Sequence, residues 1–331
     1  MIKRILVPLD GSRSAEGALG HASLLARALG AEVELLRVVN DPGRRGPDEP
    51  ADPLAWRLAD ARAEAYLSEV AGRLRKPGVR VKTRVREGVP SEEIVAAIRG
   101  GGHDLVIVTD HGSGTRAPTV LGGTALAVTI SAGVSVLLVR SRDEPPSPDA
   151  FEYQEILAPV DCSPRGDWAL GVAAGLARAT GARLQMVHVL AIPEVLSRDP
   201  SGDTMPAPVE EIREGNRRAA RQYMDEMARC LGGEELEIEG LIVEPDGGVA
   251  RTLNRLATTR ASDLIVLSAH GRGAATEWPL GSVAATTLLS ASQPLLLLQD
   301  MAGEGAPAGV LEDRSAKSSP RPRTTSRHQT G

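Results

Sequence analysis

The chain has 331 residues, which is enough for about two domains. Hydrophobic residues make up 42% of it and aromatic residues only 2%, so any core consists mainly of Val, Leu, Ile and Ala. A formal net charge of -5 argues against a nucleic-acid binder that depends on bulk positive charge. The apolar runs are too short for a membrane span, no signal peptide is visible, and two cysteines do not make a disulfide framework. We therefore expect a cytoplasmic protein that binds neither nucleic acid nor membrane.

The chain repeats itself. Residues 5–39 align with residues 156–190 without a gap at an offset of 151, and 16 of these 35 positions are identical. Residues 103–112 align with residues 262–271 at an offset of 159, so the second copy has a longer middle. Self-similarity of this kind indicates a duplicated domain.

Composition divides the chain into four parts. We predict a first domain at 1–140 and a second domain at 153–300. The segment 141–152 between them is rich in proline and charge, which is typical of a linker. The tail 301–331 has few apolar residues and is predicted to be disordered.

Each copy alternates strand-like and helix-like patterns. The run at 3–9 is short and almost continuously apolar, as expected for a parallel strand buried on both faces. Ser12 or Ser14 can cap the helix that follows, and Gly30 suits its C-terminal end. The further predicted elements are strands at 33–39, 79–85, 104–109 and 134–139, and helices near 52–75, from Ser91, and at about 122–132.

The second copy has the same order of elements. Five strands alternating with four helices predict, for each copy, an open five-stranded parallel sheet with helices on both faces, which is a Rossmann-like α/β fold. Ligands of such sheets bind beyond the carboxyl ends of the strands. We expect the two fifth strands to meet about a pseudo-twofold axis, because this pairing would bury two sheet edges. The predicted strands of the second copy are at 156–160, 183–189, 235–243, 263–268 and 294–298.

A glycine-rich loop follows the fourth strand of the second copy, where residues 268–282 read SAHGRGAATEWPLGS. Gly281 and Ser282 begin the next helix, whose free backbone N–H groups and partial positive charge suit a phosphate. Glycine allows the backbone to approach a ligand closely, and Ser282 adds a hydroxyl donor. Asp161 ends the first strand at the same edge of the sheet. These residues are therefore predicted to line one crevice.

The repeat resembles the universal stress protein family, over nearly the whole length of each copy. Nucleotide-binding members carry Gly, two residues, Gly, nine residues, and then Gly-Ser or Gly-Thr. The second copy matches this pattern from Gly271 to Gly281-Ser282, with Ser268 in place of the first glycine. The first copy departs twice, at Thr109 and at Gly123. The resemblance implies a tandem protein with a fold like that of the adenine nucleotide alpha hydrolases.

The resemblance also implies ATP as the ligand, with the need for Mg²⁺ left open. It places the aspartate after the first strand beside the adenine and ribose, and the backbone near the end of the second strand against the base. The glycine loop and the start of the following helix would hold the ribose and phosphates. In this chain the implied residues are Asp161, Val189, Ser268, Gly271, Gly281, Ser282 and Val283, with weaker counterparts in Asp10, Val38, Gly112 and Gly122.

Two departures favour the second copy as the nucleotide site. Thr109 places a β-branched side chain where the family leaves space, and Gly123 lacks the hydroxyl expected at a phosphate. Structural interpretations stay open beside these. Asp10 and Asp161 are also suited to capping the loop after the first strand. Histidines beside the glycines are typical of loop packing, and Cys162 has no sequence neighbour that would activate its thiol.

No catalytic motif is evident. The sequence contains no phosphate-binding P-loop, no nucleophile elbow and no zinc-ligand spacing, so we expect at most weak ATP hydrolysis. The favoured hypothesis is an ATP-binding regulatory protein of the stress response, with an unidentified protein partner. The alternatives are a nucleotide-free interaction scaffold and a slow ATPase. The tandem is expected to form an intramolecular pseudo-dimer, and a homodimer is left open.

Overall fold

The structure is a computed structural model. It describes residues 2–40, 53–112, 121–141, 148, 151–190, 207–233, 236–271 and 279–299. Most of the predicted linker and the whole predicted tail lie outside the described residues.

Ten strands and nine helices occupy the described residues. The strands are β1 (Arg4–Pro8), β2 (Glu32–Val39), β3 (Arg80–Glu87), β4 (Leu105–Thr109), β5 (Ser135–Val139), β6 (Glu155–Pro159), β7 (Arg183–Val189), β8 (Ile238–Val243), β9 (Leu264–Ser268) and β10 (Leu295–Leu298). The helices are α1 (Arg13–Glu16), α2 (Ala18–Leu29), α3 (Pro53–Leu74), α4 (Pro90–Gly101), α5 (Gly123–Ser131), α6 (Pro164–Thr180), α7 (Ala207–Leu231), α8 (Val249–Thr259) and α9 (Ser282–Ser290).

The strands form one ten-stranded sheet in the order β3-β2-β1-β4-β5-β10-β9-β6-β7-β8. Within each repeat the pairing is parallel, in the order third, second, first, fourth, fifth. The predicted α/β fold with two repeated parallel sheets is therefore confirmed. In each repeat the strand order reverses next to the first strand, which is where such folds bind ligands.

The two fifth strands pair with each other, as the sequence predicted. Strands β5 and β10 run antiparallel, with Leu137 opposite Leu296 and Leu138 opposite Leu295. All residues of both strands are buried. The pairing removes two apolar strand edges that would otherwise be open to other chains.

Helices cover both faces of the sheet. One hydrophobic core lies under α2, α3, α6 and α7, and a second core lies under α4, α5, α8 and α9. Strand β1 contributes to both, because successive side chains of a strand point to opposite faces: Ile5 and Val7 enter the first core and Leu6 the second. This explains why central strands such as β1, β4 and β9 read as nearly continuous apolar runs.

The helix starts refine the sequence predictions. Ser12 is the cap after β1, since its hydroxyl accepts a hydrogen bond of 3.1 Å from the Ala15 amide. The helix predicted there is divided in two at Gly17. Helix α4 begins at Pro90, one residue before the predicted Ser91, because proline is pre-organised for the first helical position.

Candidate functional site

A cavity of about 700 Å³ opens at the carboxyl ends of β6, β7 and β9. Its volume lies within the range of small-molecule sites. All seven residues predicted for the second repeat line it, although up to 122 positions separate them: Asp161, Val189, Ser268, Gly271, Gly281, Ser282 and Val283. The structure thus brings these residues together, while their roles toward a ligand stay predictions.

The start of α9 forms one wall of the cavity. Gly281 is the N-cap and makes no side-chain capping bond, and the first backbone bond inside the helix runs from the Ala285 amide to the Gly281 carbonyl at 2.9 Å. The amides of Ser282, Val283 and Ala284 therefore have no partner within the helix, and all three residues line the cavity. This wall presents N–H donors and the positive end of the helix dipole.

The Asp161 carboxylate serves the loop and the cavity at once. One of its oxygens, Oδ1, accepts hydrogen bonds from the amide of Ser163 at 3.0 Å and from its hydroxyl at 2.5 Å. The other oxygen lies only 2.5 Å from the position that a Cβ would take on Gly271. The capping interpretation of Asp161 is therefore correct, and a glycine at 271 is what leaves the carboxylate room beside the loop.

The serine that replaces the family's first glycine is tied into the loop. Ser268 is 7% exposed, and its hydroxyl donates a hydrogen bond of 2.6 Å to the His270 carbonyl. Thr109 makes the same bond in the first repeat, to the His111 carbonyl at 3.0 Å. A hydroxyl at this position thus stabilises the turn after the fourth strand in both repeats.

His188 and Tyr223 are among the lining residues that sequence reasoning did not name. The Nδ1 atom of His188 lies 2.9 Å from the Val160 carbonyl oxygen. The Tyr223 hydroxyl donates to the Asp167 carboxylate, and burial together with this carboxylate raises the pKa of Tyr223. The repeat could have revealed Tyr223, because Tyr66 bonds Glu16 in the same way in the first copy.

Cys162 follows Asp161 at the mouth of the cavity. Its backbone has φ 58, a left-handed conformation that its counterpart Gly11 adopts at φ 80. The sulfur lies 3.9 Å from Nδ1 of His188. A residue with a Cβ is strained in this conformation, so the cysteine sits where the repeat favours glycine.

The first repeat places Asp10, Val38, Gly112 and Gly122 at its own carboxyl edge. Oδ2 of Asp10 lies 2.1 Å from the position of a Cβ on Gly112, and the Gly122 amide donates to the Asp110 carbonyl at 2.8 Å. Val38 lies on β2 and packs against the second core.

Arg37 is the main difference at this edge, because it stands where the second repeat has His188. Its Nη1 atom donates to the Leu9 carbonyl at 3.3 Å and lies 3.1 Å from the position of a Cβ on Gly11. Its guanidinium carbon is 6.0 Å from the centre of the Tyr66 ring. A long cationic side chain therefore lies across the edge where the second repeat opens its cavity.

A buried ionic cluster also distinguishes the first repeat. The Asp110 carboxylate accepts from the Ser141 amide at 2.8 Å and hydroxyl at 2.5 Å, and lies 3.6 Å from Nη1 of Arg140. Burial acts to raise the pKa of Asp110, but these groups and His111 lower it overall. The second repeat has Ala269 and Gln299 at the equivalent positions of Asp110 and Arg140.

Neither a metal site nor a membrane span is found in the described residues. They contain no group of three or more His, Cys, Asp or Glu side chains arranged to hold a metal ion. None of the helices in this part of the chain combines the length and the apolar character that a membrane span needs.

Comparison with known proteins decides the family. The model of the universal stress protein family matches the chain twice, at residues 1–140 and 152–299. The chain belongs to the universal stress protein family. A universal stress protein of Mycolicibacterium smegmatis is 25% identical over 309 residues, which are 89% of this chain and 96% of that protein. One from Methanocaldococcus jannaschii is 30% identical over 141 residues, which are 42% of this chain and 83% of that protein.

A solved structure supports the fold of this universal stress protein along nearly its whole length. The crystal structure of a universal stress protein from Archaeoglobus fulgidus superposes with a TM-score of 0.62 at 18% identity. The superposition covers 89% of this chain and 96% of that one. The two-repeat architecture is therefore shared with that protein.

Proposed function

We propose that this tandem universal stress protein binds ATP in the cavity of its second repeat and acts as a regulatory binding protein of the stress response. One observation carries the proposal. The uncapped start of α9 faces a cavity of about 700 Å³ at the carboxyl ends of parallel strands. Helix starts in this position are suited to phosphate groups.

Different lining residues bind different parts of ATP. The Asp161 carboxylate and the backbone of Val189 take the adenine and ribose end. Gly271 and Gly281 have no side chains, so the phosphates can approach the loop backbone closely. The amides of Ser282 and Val283, with the Ser282 hydroxyl, bind the phosphate oxygens. The Ser268 hydroxyl donates its hydrogen bond to the His270 carbonyl. It therefore stabilises the loop, and the neighbouring residues bind the ribose.

The first repeat is proposed to have a structural role. Arg37 lies across its carboxyl edge, and Gly123 provides no hydroxyl at the start of α5. The pairing of β5 with β10 supports an intramolecular pseudo-dimer of two domains, at 1–140 and 153–300. Nucleotide occupancy in one repeat would then bias how the pair meets a protein partner. A cytoplasmic location stays a prediction.

Calorimetric titration of the full chain with ATP, with and without Mg²⁺, tests the proposal. We expect one site per chain. Gly281→Asp should abolish binding, because a carboxylate at the start of α9 repels phosphate while still serving as a favoured N-cap. Gly123→Asp is the control. It adds a carboxylate in the first turn of α5 in the other repeat, where a side chain meets open space, whereas a side chain on the N-cap Gly122 would meet the Asp110 carbonyl. A protein that binds no ATP would instead fit the nucleotide-free scaffold, and binding that Gly281→Asp leaves intact would place the nucleotide elsewhere.

A further inference from the structure

A second cavity, of about 770 Å³, continues from the first between α8 and α9. The two cavities share Val249, Ser282 and Val283 as lining residues. Both helices lead into parallel strands, so both begin at the carboxyl edge of the sheet. The groove therefore starts where the phosphates of a nucleotide would end, and it runs along α9 for about 12 Å.

The groove has a polar and basic lining. Residues of one face of α8, at helical spacing, contribute Arg251, Asn254 and Thr258, and one face of α9 contributes Ser282, Thr286 and Ser290. Two of these side chains already bond across the groove, since the Asn254 amide donates to the Ser290 hydroxyl at 2.7 Å. The walls thus offer hydroxyl and amide groups along their whole length.

This lining is specific to the second repeat. At the offset of 159, Arg251 corresponds to Glu92, Asn254 to Val95, and Thr286 to Ala127. The offset is structurally sound, because α4 and α8 begin at matching positions and the matching residues Gly102 and Ala261, which follow these helices, both have positive φ. At these three positions the first repeat therefore has one acidic and two apolar residues, where the second repeat has one basic and two hydrogen-bonding residues.

Arg251 is a cation at the start of a helix, where the helix dipole favours acidic residues. It stands in the first turn of α8. The equivalent position in the first turn of α4 is Glu92. Its side chain is exposed and lies against Gly247, whose Cβ position would be 2.8 Å from the arginine Cδ. Within the described part of the chain it has no ion-pair partner, whereas the nearby Arg255 pairs with Asp246. An unpaired cation beside two helix starts favours an anionic group at this junction.

We propose that this groove is a second subsite, and that the ligand is an adenine nucleotide whose phosphate chain carries a further hydroxyl-rich group, such as a sugar. Arg251 pairs with the phosphate at the junction, and the hydroxyl and amide side chains of α8 and α9 bond the second group. The proposal rests on nucleotide binding in the first cavity. It adds the class of ligand, because a free nucleotide would leave the groove unused.

Titration of the full chain with ADP and with ADP-ribose tests the subsite. We expect ADP-ribose to bind at least tenfold more tightly than ADP. Thr286→Tyr fills the groove from an exposed position and should remove this preference while changing the affinity for ADP less than twofold. Ala127→Tyr, the matched change in the first repeat, should leave both affinities unchanged.

The role of the positive charge of Arg251 is tested by Arg251→Glu, which introduces the residue that the first repeat has at the equivalent position, Glu92. It should weaken ADP-ribose binding at least tenfold, whereas Arg99→Glu, an exposed arginine of α4, should have no effect. Thermal melting establishes whether each variant is folded. If Thr286→Tyr does not fold, Arg251→Glu alone tests the subsite. Equal affinities for ADP and ADP-ribose in the unaltered chain would overturn the subsite alone. Absence of binding by either would overturn nucleotide binding together with it.

Discussion

The carboxylate of Asp161 reaches so close to Gly271 that no side chain fits between them. Its Oδ2 atom lies 2.5 Å from the position of a Cβ on Gly271, and its other oxygen is held by the amide and hydroxyl of Ser163. A carbon on residue 271 would have to displace a carboxylate that is already hydrogen-bonded. The glycine is therefore required for space, since its φ is not in the left-handed region.

Gly271→Ala tests this relationship. The added methyl group should push Asp161 away from the cavity and weaken ATP binding at least tenfold, while circular dichroism shows a folded chain. Gly112→Ala crowds Asp10 in the same way in the first repeat and should leave ATP binding unchanged. Equal losses in the two variants would contradict the assignment of the nucleotide to the second repeat.

Cys162→Gly should stabilise the protein. The cysteine has φ 58, and relief of this left-handed strain is worth about 1 kcal/mol after allowing for the extra freedom of glycine in the unfolded chain. Urea unfolding measures the difference. Cys162→Ala is the control, because it removes the thiol but keeps the strain and should give no gain. A loss of stability in Cys162→Gly would show that the thiol contacts outweigh the strain.

The three tyrosines should resist ionisation in the folded state. Burial raises the pKa of Tyr66, Tyr153 and Tyr223, with Glu16, Asp263 and Asp167 adding to the effect in turn. A group whose pKa is raised on folding contributes stability below its unfolded pKa of about 10, and loses it as the pH rises further. Absorbance at 295 nm should therefore stay flat until the chain unfolds in alkali. A smooth titration near pH 10 with native circular dichroism would contradict this.

Arg140 should be important for the seam between the repeats. It lies 3.6 Å from the buried Asp110 carboxylate and donates to the Leu288 carbonyl of α9 at 2.6 Å. Arg140→Gln leaves Asp110 without its cation, and we expect a loss of about 2 kcal/mol in urea unfolding. Arg260→Gln removes an exposed pair with Glu239 and should cost less than about 1 kcal/mol. Similar effects of the two variants would show that the cluster does not stabilise the seam.

The sequence predicted most of the fold because its patterns are local. The strand-like pattern at 183–189 coincides with β7, and the internal repeat implied two copies of one sheet. The pairing of β5 with β10 followed from the need to bury two apolar edges. The break at Gly17 was not predicted, because a glycine in a helical pattern is usually tolerated there.

The site was predictable only where backbone geometry decides it. Gly271 and Gly281 could be placed at the carboxyl edge from strand order alone. The bond from Ser268 to the His270 carbonyl depends on the loop conformation, and Arg37 crosses the first repeat's edge only because a side chain can fold back over Gly11. Arg251 was overlooked, although comparison of the two copies shows a reversal of charge between it and Glu92.

The most direct test of nucleotide binding in the second repeat uses the two cysteines as reporters. Cys162 lines the cavity, and Cys230 is exposed on α7 and does not line it. The rate of alkylation at each, followed by mass spectrometry of the intact chain and its peptides, is measured with and without saturating ATP. We expect ATP to slow the alkylation of Cys162 at least fivefold and to leave Cys230 unchanged. Alkylation of Cys162 at the same rate in both conditions would contradict binding in this cavity.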